Sequence, residues 1–196
     1  MVNPTIQAVR RPPTVAANYR QESIVAPRPA DAPQTAPPEA DDLRSEKGVD
    51  YTRLRDLLKA GQWKEADLET DHRMLEAVGR KSDDYIRDEE LKNFPCEDLR
   101  TIDGLWVKYS QGKWGFSVQK RIYVECGAKL DGKYPGDKIW YEFCQRVGWR
   151  KGNSYVNYSD LTFDPSISPA GEFPACRVFV CLLWVGSLVL LSHRDL

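Results

Sequence analysis

Phe94-Pro-Cys-Glu-Asp-Leu-Arg-Thr-Ile-Asp-Gly-Leu-Trp-Val-Lys-Tyr-Ser-Gln-Gly-Lys-Trp-Gly-Phe-Ser-Val-Gln119 holds more pattern than any other stretch of the chain. Cys96 or Asp98 starts a helix in which Leu99, Ile102, Leu105, Trp106 and Tyr109 fall at helical spacing, and Gln111-Gly-Lys113 ends it. The run that follows, Phe116 to Cys126, is ambiguous. Phe116, Val118, Ile122, Val124 and Cys126 alternate as a strand would, whereas Phe116, Gln119, Lys120 and Tyr123 suit a helix. The stretch contains no nucleophile–base pair and no metal-ligand spacing. Aromatics, glycines and fixed polar residues at this density, without chemistry, point towards binding.

On its N-terminal side, Asp50 is placed to cap a helix carrying Tyr51, Leu54, Leu57 and Leu58, closed by Gly61. A second helix carries Trp63, Ala66, Thr70, Met74 and Val78 on one stripe and stops at Gly79. The two are expected to form a helical hairpin. A charged loop, Arg80 to Asp84, precedes the apolar positions Ile86, Leu91 and Phe94. On the C-terminal side, Asp137 is placed to cap a helix through Ile139, Trp140, Phe143, Cys144 and Val147, ending at Gly148. Residues 150 to 175 then form a long Asn-, Ser-, Pro- and Gly-rich loop with Tyr155, Tyr158, Phe163 and Phe173 scattered through it. Loops of that length inside a domain are more often functional than idle. The apolar run Val178 to Leu191 is shorter than the ~20 residues a spanning helix needs, so it reads as a buried C-terminal helix.

Residues 1–47 hold eight of the thirteen prolines and no periodic apolar pattern, which reads as a disordered tail or linker before a helical domain at 48–196. No apolar signal core is present near the N-terminus. Arg10, Arg11, Arg20 and Arg28 against Glu22 would suit a transit peptide, but scarce serine and frequent proline do not. A formal charge of −1 supplies no global field towards nucleic acid or anionic lipid. The five cysteines (96, 126, 144, 176 and 181) are odd in number and form no C-x-x-C pair, arguing against disulfides or zinc and for a reducing compartment.

Catalytic patterns are lacking as well. His72 sits in an acidic helical segment and His193 near the C-terminus, both read as solvated; Asp83-Asp84, Asp88-Glu89-Glu90 and Glu97-Asp98 read as solvated faces. No phosphate cradle or nucleophile elbow appears, so no enzyme is expected. Pro95-Cys96 is the reverse of the Cys-Pro order that often ligates regulatory haem. Binding of a flat apolar ligand with anionic arms needs a greasy wall, ring-covering side chains and a few cations. The loops and their borders offer Arg80, Lys81, Leu91, Phe94, Tyr155, Tyr158, Phe163, Phe173 and Arg177. The same aromatics could equally anchor the loops to the core.

Several motifs, in order, resemble the genomes-uncoupled-four family. They are Gly48-Val-Asp-Tyr51, Trp63-Lys-Glu-Ala-Asp67, Phe94-Pro-Cys-Glu-Asp-Leu99, Ile102-Asp-Gly-Leu-Trp106, Gly115-Phe-Ser-Val-Gln119, Val147-Gly-Trp149, Gly152-Asn153 and Pro169-Ala-Gly-Glu-Phe-Pro174. The resemblance implies an all-α domain shaped like a cupped hand, with Phe116 to Cys126 helical. It also implies a bound protoporphyrin IX or Mg-protoporphyrin IX, and work with the large porphyrin-binding subunit of magnesium chelatase in chlorophyll biosynthesis. Such a protein is expected to be monomeric, with no metal ion of its own, in the cytoplasm of a cyanobacterium or in a plastid. Arg80, Leu91, Phe94, Tyr155, Tyr158, Phe173 and Arg177 are then the expected porphyrin contacts. Two departures mark a divergent paralogue: Tyr158 stands where the family usually has tryptophan, and Arg177 is the only cation between Pro174 and His193. The alternatives are a helical interaction module that kept the fold without the ligand, and a membrane-surface anchor formed by Val178 to Leu191.

Overall fold

The structure, a computed structural model, describes residues 40–81, 84–175 and 186–196. The two helices of the expected hairpin are present as α1 (Thr52–Lys59) and α2 (Trp63–Ala77), joined by a turn in which Gly61 takes a φ of +70°. The N-cap of α1 is Tyr51 rather than Asp50; Asp50, one position earlier, accepts the Thr52 N–H at 2.9 Å. Tyr51, Leu54 and Leu58 are buried on one side of α1; Ala66, Thr70 and Met74 are buried on α2.

The decisive stretch becomes α3 (Asp88–Lys92), α4 (Cys96–Tyr109) and α5 (Phe116–Glu125). Gln111 and Gly112, both at positive φ, break the chain between α4 and α5. The ambiguous run is helical. Phe116, Val118, Gln119, Ile122 and Tyr123 are buried on one face of α5, while Val124, which the strand alternation would bury, is exposed. An irregular excursion leads to α6 (Asp137–Arg146), whose N-cap is Gly136 rather than Asp137; the aspartate lies in the first turn and accepts the Tyr134 hydroxyl instead.

After Trp149 come β1 (Arg150–Lys151) and β2 (Ser154–Tyr155), a minimal antiparallel pair, and a 3₁₀ turn at Tyr158–Asp160. The last described helix is α7 (Gly186–Leu191), with Leu188, Val189, Leu190 and Leu191 buried as expected of an apolar C-terminal helix. Residues 178–185 of that expected helix lie outside the described residues. The protein is thus all-α apart from two-residue strands, and no helix among the described residues is long and apolar enough to cross a membrane.

Helix α1 packs on α2 and α4, α3 on α7, and α5 on α4, α6 and α7. Two apolar clusters result. One is built from α1, α2, α4 and Phe173; the other from α5, α6, Trp149 and part of α7. The compact unit runs from Ala40 to Leu196. Residues 41–46, which composition assigned to the tail, are hydrogen-bonded to α4. Asp41 accepts from Lys108 and Tyr109, the Ser45 hydroxyl and Glu46 N–H donate to Asp98, and Thr101 donates to the Arg44 carbonyl. These polar contacts, with the single apolar side chain of Leu43 packed against the first cluster, hold the segment in place without any hydrophobic period.

Candidate functional site

The motif residues of the decisive stretch are scaffold. Trp106, Trp114 and Phe116 have no exposed surface. Asp103, on α4, accepts the Ser117 N–H at 2.9 Å and so caps α5 from a neighbouring helix. Gly115, with φ +143°, lies so close to α4 that a Cβ there would sit 2.7 Å from Val107 Cγ2 and 2.8 Å from Asp103 Oδ1. Buried Asp98 gathers the hydroxyls of Tyr51 and Ser45, and Trp106 donates its indole N–H to Thr70 on α2. The density that suggested a binding surface is therefore a helix-to-helix lock.

What the lock holds is the 150–175 segment. Gln119 donates from one amide nitrogen to both the Gly171 and Pro174 carbonyls, at 3.0 and 2.9 Å. Trp114 and Trp149 donate their indole N–H groups to Pro169 and Glu172. Gly115 N–H meets the Phe173 carbonyl, and Ala175 N–H meets Asp67 Oδ1 on α2 at 2.7 Å. Asp67 also receives the Tyr158 hydroxyl at 2.8 Å, which brings the loop's 3₁₀ turn onto α2.

The aromatics form a continuous ladder. Tyr158 meets Phe163 edge-on at 5.6 Å, Phe163 stacks on Phe173 at 4.5 Å, and Phe173 continues to Trp106 and Trp114. Tyr158 and Phe163 are half-buried, whereas Phe173 is fully enclosed. Tyr155 belongs to the other cluster, where its hydroxyl accepts the Trp140 indole N–H. Leu91 and Phe94, expected at the ligand face, are core residues with 3% and 1% of their surface exposed. Of the expected set, then, Tyr158 and Phe173 are joined through Phe163, Leu91 and Phe94 lie in the same apolar cluster, and Tyr155 stands apart. Arg177 lies outside the described residues.

Arg80 is already engaged. Its Nε is 2.9 and 2.8 Å from the two Glu90 oxygens, and its Nη1 is 2.6 Å from Asp84. The Glu90 and Asp84 bonds hold the guanidinium charged well beyond its usual range. Asp84 is lowered in turn by the Tyr85 N–H and by Arg80, and Glu90 mainly by Arg80. Neighbouring Lys81 is exposed.

Two concavities occur near the α3–α4 junction. One, about 530 Å³, runs past Lys47, Ala77–Gly79, Glu89, Glu90 and Asn93. The other, about 560 Å³, is bounded by Phe94, Pro95 and Cys96 on one side and Val189, Ser192, His193 and Arg194 on the other. At its edge lies a grouping that short-range spacing concealed: Cys96, His193 and Asp195 each bring a donor atom within 4.8 Å of the others. His193 is not the solvated residue its position suggested. It is 7% exposed, its ring hydrogen-bonds the Phe94 main chain, and burial pushes its pKa below the ordinary histidine value. Cys126 and Cys144 are buried thiols pushed up by desolvation, Cys144 to about 12. Cys176 and Cys181 lie outside the described residues.

The fold is a helical scaffold that displays a long aromatic-bearing loop. The GUN4-like family model matches residues 44–193, and the chain belongs to that family. It is 32% identical over 137 residues to a protein named Uncharacterized protein ycf53 of Porphyra purpurea, covering 69% of this chain and 53% of that one. It is 30% identical over 160 residues to the Ycf53-like protein of Synechocystis sp., covering 80% and 62%. A protein named Tetrapyrrole-binding protein, chloroplastic, of Arabidopsis thaliana is 27% identical over 132 residues, 62% of this chain and 46% of that one. The chain thus spans about half to three-fifths of the length of these relatives. The structure of GUN4 from Chlamydomonas reinhardtii superposes with a TM-score of 0.63 at 27% identity, covering 79% of this chain and 94% of that one. The ligand-free structure of Arabidopsis thaliana GUN4 gives 0.60 at 26%, covering 74% and 93%. Identities this low make the chain a divergent member.

Proposed function

We propose that this chain is a non-catalytic, porphyrin-binding regulatory protein that takes protoporphyrin IX or its magnesium form. The observation that carries the reading is membership of the GUN4-like family, one relative of which bears the name tetrapyrrole-binding protein. The geometry supports it through Tyr158 and Phe163. They form a half-buried ring surface on an irregular segment whose far end is pinned by Gln119, Trp114 and Trp149. One macrocycle face lies on Tyr158, with Tyr155, earlier in the loop and packed on the second cluster, at its margin. Phe173, Leu91 and Phe94 support that wall from within the core. Its carboxylates meet Arg177 and Arg80.

Arg80 reaches a propionate by exchanging Asp84, the more exposed of its two partners, while keeping the Glu90 pair. An exchange of one carboxylate for another costs little, because the guanidinium keeps its count of charge-assisted bonds. The regulated partner is magnesium chelatase, through its large porphyrin-binding subunit, in a cyanobacterial cytoplasm or a plastid, with this chain acting as a monomer. Titration with deuteroporphyrin tests the reading. Tryptophan quenching and a Soret shift at micromolar ligand support it; a flat titration removes it.

A specific observation favours a second reading, an interaction module that kept the fold without the ligand. Leu91, Phe94 and Phe173 are sealed by the protein's own side chains, and Arg80 is paired internally. A flat titration together with chelatase-subunit binding indifferent to porphyrin would select it.

A further inference from the structure

We propose that Cys96, His193 and Asp195 form a three-donor site for one divalent, borderline-soft cation, with zinc as the probe. The site is separate from the porphyrin face. Cys96 sits at the first position of α4, while His193 and Asp195 follow α7, so two elements almost a hundred residues apart converge on one point.

The atoms are already arranged around a common centre. Cys96 Sγ is 2.8 Å from Asp195 Oδ2, and His193 Nδ1 is 3.8 Å from the same oxygen. Zinc bonds of about 2.0–2.3 Å put tetrahedral donors roughly 3.5 Å apart. The nitrogen–oxygen spacing therefore fits as it stands, and the sulfur–oxygen pair opens by under about 1 Å once the shared proton leaves. The other Asp195 oxygen, Oδ1, is taken by Arg100, which orients the carboxylate and leaves Oδ2 turned towards sulfur and imidazole. The His193 ring is fixed by its hydrogen bond to the Phe94 main chain, the second-shell restraint that metal-bound imidazoles ordinarily have.

The donor set matches the metal. One thiolate, one neutral imidazole and one carboxylate balance a 2+ charge, and mixed S/N/O ligation suits zinc. On binding, the Cys96 thiol proton passes to buffer and a sulfur–metal bond replaces the sulfur–hydrogen bond. The cleft of about 560 Å³ lined by Cys96 and His193 leaves the fourth position open to water or a small ligand. Two groups compete for these donors. One is the Asp195 N–H, which His193 Nδ1 accepts at 3.3 Å and which must turn away as the metal enters. The other is Arg194, whose Nε lies 3.2 Å from Asp195 Oδ2 but whose side chain is 87% exposed and turns into solvent at little cost.

Equilibrium dialysis of the full-length chain against zinc, with Co²⁺ substitution read by absorbance, tests the site. One zinc per chain is expected, with a thiolate-to-cobalt charge-transfer band. Cys96→Ser and His193→Gln abolish both, and His72→Gln, on exposed surface, abolishes neither. Arg194→Ala, which leaves all three donors in place, tightens zinc by about two- to fivefold, the value of one exposed ion pair. This arm keeps the test valid should a ligand variant fail to fold by circular dichroism. Absence of stoichiometric zinc, zinc retained in folded Cys96→Ser, or unchanged affinity in Arg194→Ala overturns the proposal.

Discussion

Glu172 illustrates how much one side chain in the loop can contribute. Its carboxyl is 5% exposed, and Oε2 has no hydrogen-bond partner among the described residues. Burial raises its pKa above the ordinary 4.5, opposed by the Ser168 hydrogen bond and by Lys151 and Lys113. A raised folded-state pKa contributes stability below the unfolded value, and that contribution is lost as pH rises through the folded value. Stability should therefore fall as pH climbs from about 4.5 towards neutrality. Glu172→Gln should flatten that fall and stabilise the protein at pH 7, as measured by urea denaturation across the range. An unchanged pH profile would remove Glu172 as its source. Tyr158 separates ring from hydroxyl in the same way. Tyr158→Phe loses the bond to Asp67 and should cost about 1 kcal/mol of stability with porphyrin affinity kept. Tyr158→Ala should also weaken porphyrin by roughly tenfold, the value of a lost aromatic face. Equal affinity losses in both variants would mean the ring does not touch the ligand.

Between elements, the α4–α5 lock is the feature on which loop position depends. Asp103→Ala removes the cap from α5 and should cost about 1–2 kcal/mol in chemical denaturation. Gly115→Ala should cost more, since its Cβ would meet Val107 and the Asp103 carboxylate inside contact distance at a strained φ. Gln119→Leu keeps the volume but drops both bonds to the 171–174 backbone, so faster amide exchange confined to 168–175 is expected. If exchange rises uniformly instead, the loop is held by something else. Most helices were legible in sequence because Leu54, Leu58, Ala66, Met74, Leu99, Ile102 and Trp106 repeat at helical spacing and bury one face. The α5 segment was not, because exposed Val124 completes an apolar alternation by chance while buried Gln119 interrupts the apolar face of the helix. Nor was the exact ligand wall. A loop-border Leu91 or Phe94 reads the same in sequence whether it faces a ligand or the core, and only the packing separates the cases.

At the scale of the molecule, chemistry was hidden wherever it depends on contacts distant in sequence. Cys96 and His193 carry no shared motif, and His193 next to a chain end reads as solvated until α7 and the α3–α4 junction close over it. Asp67 likewise lay inside a quoted motif, yet its role in tying Tyr158 and Ala175 to α2 is a property of the assembled fold. The domain's N-terminal edge fell earlier than composition implied because Asp41 to Glu46 dock through polar bonds and the lone apolar Leu43, which make no hydrophobic pattern. What the family resemblance supplied, and composition could not, was the expectation of a tetrapyrrole as ligand.

Hydrogen exchange of the full-length chain with and without deuteroporphyrin tests the proposed binding face most directly. Slowed exchange is expected in 79–87 and 150–163, with 92–96 and 188–195 unchanged. Slowed exchange confined to the cleft at 92–96 and 188–195, or none anywhere at saturating ligand, would contradict it.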